Sequence, residues 1–182
     1  MADLKPPFTK ETAQQKLKFA QDMWNTRDPE RVAKGYTPDC IWRNRGVFIQ
    51  GHPHATTPSA LRTDQIIALL TAKWNKEKNY RLRKELFCVG GDHSEKIAVQ
   101  FWYEYQDAHD GMKWKRCYGL EDWTFDQNGK MKKRMMSGND VVLGIWGSGQ
   151  GQPELGIEGR WFRDGVDVDA DEVTRLITDK HY

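Results

Sequence analysis

The stretch Gln65–Val89, QIIALLTAKWNKEKNYRLRKELFCV, contains the change of period that decides the fold. Before it ends, Ile66, Ile67, Leu70 and Trp74 recur at helical spacing. From Tyr80 onward apolar and polar residues alternate instead, the period of a strand with one face in a core. The alternation returns in Glu95–Gln106, Met112–Phe125 and Met131–Ser137. Between these runs stand Gly90-Gly91-Asp92, Asp107–Gly111 and Asp126-Gln127-Asn128-Gly129, residues that tolerate the tight turns joining antiparallel neighbours. Four runs punctuated in this way predict a meander over Tyr80–Ser137.

Upstream, the helical period dominates. Thr9 is placed to cap a helix with Glu11 in its first turn and Ala13, Leu17, Ala20 and Trp24 along one side. Asp28-Pro29-Glu30 restarts a short helix with a cap, a proline at its first position and an acid beside it. Val32, Ala33 and Tyr36 form its apolar side, and Pro38 is expected to stop it. Cys40–Gln50 reads as a strand bent at Gly46, followed by a breaker-rich loop. A third helix begins at either Thr57 or Thr63 and carries the Ile66–Trp74 face. Helices followed by strands, without βαβ alternation, define the α+β class. The expected architecture is a curved antiparallel sheet wrapped around three N-terminal helices, a cone or barrel with an internal pocket. Helices can cover one face of such a sheet. Large residues on the other face predict burial against a second subunit, so a homodimer is expected.

Composition limits the partners. Among 182 residues, 28 Lys and Arg face 26 Asp and Glu, a net charge of +2 with no field to collect nucleic acid. No apolar run approaches a membrane span and no apolar signal core opens the chain, so the reading is a cytoplasmic protein with no membrane partner. Cys40, Cys88 and Cys117 are widely spaced and read as reduced, buried thiols. His52 and His54 have metal-like spacing but lack a third ligand, and no metal is expected. Lys130–Arg134 reads as a solvated hairpin end. From Gly144 the glycine content rises, dividing the chain into a cone domain at 1–143 and an arm at 144–182 that ends in a short helix. Asp169 is its expected cap, with Val173, Leu176 and Ile177 on its buried side.

Several stretches carry a family resemblance: Trp24–Ala33, Tyr36–Asp39, Trp42–Arg45, Lys73-Trp74, Tyr80–Leu82 with Lys84–Leu86, Arg116–Trp123 and Ser137–Asp140. Together they resemble the SnoaL-like branch of the nuclear transport factor 2-like superfamily, in particular an uncharacterised bacterial and fungal family within it. The similarity runs over about residues 8–142. It implies a cone, commonly dimeric, with a pocket for a small-molecule ligand. Relatives include ketosteroid isomerase, scytalone dehydratase, limonene epoxide hydrolase and polyketide cyclases, none of which needs a cofactor. Non-catalytic members share the fold, which alone does not make an enzyme.

Laid against ketosteroid isomerase, the resemblance puts Asn44 at the general-base position and Ala20 at the oxyanion-hole tyrosine. Glu121 falls at the protonated acid. One carboxyl of that machinery is kept, and Asn44 can orient a substrate but not accept its proton. Glu121 is the leading catalytic candidate because a carboxyl on an apolar face is desolvated. It is either an acid–base group or one half of a buried Glu–Arg pair. Arg43 and Arg45 should point away from Asn44, while Trp42 shares its side. Trp42, Tyr103 and Tyr118 are candidate walls, and Glu104, Arg43, Arg45 and Arg116 are candidate ligand contacts or structural ion-pair partners. The leading function is a cofactor-independent isomerase, dehydratase, cyclase or epoxide/lactone hydrolase. The alternatives are a non-catalytic binding protein with the same cavity and a dimeric adaptor.

Overall fold

The computed structural model describes residues 4–49, 60–91 and 95–182. Helix α1 spans Lys10–Asn25 and starts as expected, with a reciprocal capping box between Thr9 and Thr12. Helix α2 spans Pro29–Ala33, with the Asp28 side chain accepting from the Arg31 N–H at 3.0 Å. Helix α3 covers Ala60–Lys76, and both proposed Thr57 and the loop histidines His52 and His54 lie outside the described residues. Lys73 and Lys76 in its last turn complement the negative end of the helix dipole.

The strands are β1 (Tyr36–Asn44), β2 (Val47–Ile49), β3 (Glu77–Val89), β4 (Lys96–Asp107), β5 (Lys113–Phe125) and β6 (Met131–Val142). Among the described residues they form one sheet in the order β2-β1-β6-β5-β4-β3. The meander β3–β6 is antiparallel as predicted, but β1 joins β6 in parallel, so the sheet is mixed. Two local readings change. Pro38 lies inside β1 and does not end α2, which stops at Ala33. The chain does not merely bend at Gly46: it reverses through Arg45 and Gly46 into a hairpin, with Asn44 opposite Val47 and Arg45 at φ 57.

Helix α1 completes the edge of the sheet. Its Gln21 and Asn25 amides take over backbone groups of β3 that have no strand partner on that side. Asn25 exchanges two 2.8 Å bonds with Leu82, and Gln21 accepts from the Lys84 N–H at 2.7 Å. Burying Gln21 is therefore not a polarity error in the helix pattern, because its amide blunts an edge.

The inner face of the sheet and the helices share one aromatic-rich core: Trp24, Trp42, Trp74, Tyr80, Phe101, Tyr103, Trp123 and Phe125 among others. Strand curvature leaves no room at Gly119, where an added Cβ would lie 2.1 Å from the Phe101 ring and 2.4 Å from the Ser137 carbonyl.

Part of the outer face is covered by the chain itself. Over β3–β5 the chain's own C-terminal residues Trp161, Phe162, Val168, Val173 and Ile177 bury Trp102. Glu104 anchors this arm by accepting from the Trp161 and Phe162 N–H groups at 2.7 and 3.1 Å. Trp102 Nε1 donates to the carbonyl of His181, itself buried, at 3.1 Å. The last helix, α4 (Asp171–Thr174), follows Ala170, which gives no side-chain cap; Asp169 instead accepts from Gln21 at 2.7 Å. Leu176 is exposed, unlike Val173 and Ile177. Cys40 and Cys117 are buried, whereas Cys88 is exposed because a register shift interrupts β3 between Leu86 and Cys88.

Candidate functional site

Alternation decides which side chains can meet inside the cone. In β3 it turns Leu82 and Lys84 inward, in β4 Phe101 and Tyr103, in β5 Glu121 and Trp123, and in β6 Arg134 and Met136. Lys84, Glu121 and Arg134 thereby converge in an otherwise aromatic interior. Glu121 is 3 % exposed. One of its oxygens accepts from Lys84 Nζ at 2.9 Å and from Trp123 Nε1 at 2.5 Å, and the other accepts from Arg134 Nη2. Burial by itself would raise the Glu121 pKa, but the charges of Arg134 and Lys84 outweigh it and hold the carboxyl at about 2. Burial pushes the Lys84 ammonium the other way, down to about 8, although Glu121 opposes the shift.

The cations also rest on rings. Lys84 Nζ lies 5.1 Å from the centroids of both Phe101 and Trp123, and the Arg134 guanidinium lies 4.8 Å from Trp24 and 5.0 Å from Trp42. Together Trp24, Asn44, Lys73, Tyr80, Lys84, Tyr103, Glu121 and Arg134 line a cavity of about 10 Å³, roughly the space of one water. Arg134 Nη1, Trp42 Nε1 and Trp74 Nε1 are buried donors with no acceptor among the described residues.

A second charged layer lies toward the more exposed end. Lys73 and Glu77 form a buried pair, and Lys73 Nζ sits 4.2 Å from the Tyr103 ring centroid. Arg45, placed by its left-handed turn, donates to the Tyr103 hydroxyl at 3.1 Å, the Cys117 sulfur at 3.0 Å and Asp140 at 2.6 Å. Burial holds the Cys117 thiol up at about 12, against the pull of Arg45.

The candidates chosen from sequence thus divide. Asn44, Tyr103 and Glu121 line the interior cavity. Trp42 is buried behind it, against Arg134, and Arg45 reaches its exposed end, contrary to the expected outward direction, because the hairpin turn redirects it. Arg43 does face outward and donates to the Ser137 hydroxyl at 3.0 Å. Glu104, Arg116 and Tyr118 lie on the opposite face of the sheet, beneath the arm, where Arg116 binds Glu104 at 2.7 and 3.0 Å and Tyr118 at 3.0 Å. Lys84 and Arg134 escaped selection. Arg134 lies in a basic run that is solvated only in part, and alternation with Met136 is its one sequence cue. Lys84, between Leu82 and Leu86 on the inward period, had the same cue.

A family model described as "Protein of unknown function (DUF1348)" matches residues 6–145. The chain belongs to the DUF1348 family. No curated protein matches this member of the family in sequence. Its fold is that of solved NTF2-like cone proteins. The epoxide hydrolase/cyclase-like enzyme SalBIII of salinomycin pyran ring formation superposes with a TM-score of 0.55 at 13% identity, over 73% of this chain and 97% of that one. RV0760c from Mycobacterium tuberculosis, in complex with estradiol-17beta-hemisuccinate, gives 0.52 at 12% identity, over 70% and 93%. An NTF2-like protein of unknown function from Exiguobacterium sp. 255-15 gives 0.51 at 9% identity, over 71% and 99%. At these identities the likeness concerns the fold. No helix among the described residues is long and apolar enough to cross a membrane.

Proposed function

We propose that this DUF1348 protein binds a small organic molecule inside the cone and transfers a proton on it without a cofactor, with Lys84 as the acid–base group. The carrying observation is the buried Lys84–Glu121–Arg134 cluster. Glu121, the leading candidate from sequence, is satisfied by three donors and held as a carboxylate, so its role is to fix the two cations. An amine with a pKa of about 8 exchanges a proton near neutral pH, which suits general acid–base work. Arg134 Nη1 is a preformed donor for a carbonyl or enolate oxygen, and Asn44 and Tyr103 supply orienting groups on the same wall. Because the cavity holds about one water, a ligand must displace the Arg45–Tyr103–Asp140 contacts at its exposed end. In this reading residues 1–143 form the cone and 144–182 an arm that covers its outer face.

The test is ¹³C NMR of the Lys84 side chain across pH, followed by native mass spectrometry against a panel of ketones, enols and epoxides. Titration near pH 8, a retained ligand, and loss of that ligand in Arg134→Lys with the fold intact are expected. A Lys84 titration at the ordinary 10.5 would refute the acid–base role.

A second reading, homodimerisation, has its own observation. On the outer face left bare by the arm, Phe48 is 71% and Leu120 48% exposed, apolar area that a second copy would cover. Light scattering should find a dimer that Phe48→Glu with Leu120→Glu dissociates. A monomeric parent protein would end this reading.

A further inference from the structure

A groove separate from the cone interior opens between α1, α2 and the near ends of β1, β5 and β6. It has a volume of about 170 Å³. Ala20, Met23, Val32, Trp123, Phe125 and Met131 supply much of its lining. Trp24 lines both this groove and the charged interior cavity, and so stands as the partition between them. The charged side chains described in its lining share one sign. Lys16, Arg31 and Lys34 are in its lining, and among the described residues no carboxylate is. Arg31 and Lys34 are solvent-exposed on α2 and just beyond it, where they form a rim. Lys16 is held in place, with its Nζ donating to the Gly129 carbonyl at 2.7 Å and lying 5.2 Å from the Phe125 ring centroid.

An apolar concavity whose charged lining, among the described residues, is cationic matches a ligand with an apolar body and an anionic head. A neutral apolar molecule would leave the charged rim unused, and a cation would be repelled by it. The volume lies below the range of drug-sized pockets, which limits the body to a short acyl chain or one ring. The geometry points to this groove as a binding site for a small free amphipathic carboxylate, of the medium-chain fatty acid type. The carboxylate lies at the Arg31–Lys34 rim and the chain packs against Trp24 and Trp123. The site goes beyond the interior reading and does not depend on it, because the partition keeps Lys84 and Arg134 out of the groove.

Octanoate is the probe, with octylammonium and octanol as its charge-reversed and neutral counterparts. Titration followed by calorimetry and by tryptophan emission uses Trp24 and Trp123 as reporters within the groove. Octanoate should bind saturably, and both counterparts at least tenfold more weakly. Arg31→Glu with Lys34→Glu, both exposed and therefore tolerant of change, should weaken octanoate at least tenfold with an unchanged melting temperature. Ala20→Phe, which fills the groove, should abolish binding in a folded protein. The inference is overturned if octylammonium binds as tightly as octanoate, or if the double charge reversal leaves octanoate affinity unchanged. Persistence of octanoate binding in folded Ala20→Phe would place the ligand elsewhere and overturn it too.

Discussion

Replacing Glu121 by Gln removes one charge from a cluster that has no solvent to take its place. The carboxyl is held at about 2 where its ordinary value is 4.5, a difference of roughly 3 kcal/mol in favour of the folded carboxylate. Mutational experience with one-sided removal of a buried partner gives about 3–5 kcal/mol, because the remaining charges stay desolvated. Here Lys84 and Arg134 are both left without their anion. For a chain of this length each kcal/mol moves the melting temperature by about 2–4 °C, so Glu121→Gln should melt on the order of 10 °C lower at pH 7. The pH dependence carries the sign. A group whose folded pKa is depressed adds its full stability above the ordinary 4.5 and loses it as pH falls toward about 2. The deficit of the variant should therefore be largest near neutrality and shrink as pH falls through that window. At alkaline pH it should also shrink, because Lys84 without its counter-ion sheds its proton more readily. Thermal and urea unfolding by tryptophan fluorescence across pH measures both trends. A variant melting within about 2 °C of the parent, with a gap that does not change with pH, would refute the account of Glu121 as a fixed counter-ion.

Three further outcomes follow from other parts of the molecule. Glu104→Gln keeps the side-chain size but cannot accept as a carboxylate from Arg116, Trp161 and Phe162, so it should cost about 3 kcal/mol and hasten tryptic cleavage at Arg160 and Arg163. An unchanged digestion rate would contradict the arm's anchoring. At pH 8 iodoacetamide should label Cys88 and spare Cys40 and Cys117, whose thiols burial holds at about 12; mass spectrometry of the labelled peptides reads this directly. Gly119→Ala should destabilise by at least about 2 kcal/mol in chemical denaturation, because its Cβ meets both the Phe101 ring and the fixed Ser137 carbonyl.

The sequence determined most of the elements and part of the inward set of residues. Period, caps and turn residues placed α1, α2 and the meander β3–β6, and alternation alone put Glu121 on the apolar face. Those features are local, since each depends on residues within one or two turns or along one strand. Which charges neutralise one another was not local. Lys84, Glu121 and Arg134 come from three different strands, and only register brings them within hydrogen-bonding reach. The separation of Glu104, Arg116 and Tyr118 from the interior, by contrast, was already written in the strand phase. Their residue types suit a pocket equally well, but they stand one residue out of phase with Glu121, Tyr103 and Cys117. The period-two rule therefore sends them to the face that the arm covers. Chain pattern fixed what could be buried, and long-range pairing chose the partners, because an ion pair depends on distance in space while periodicity records only distance along the chain.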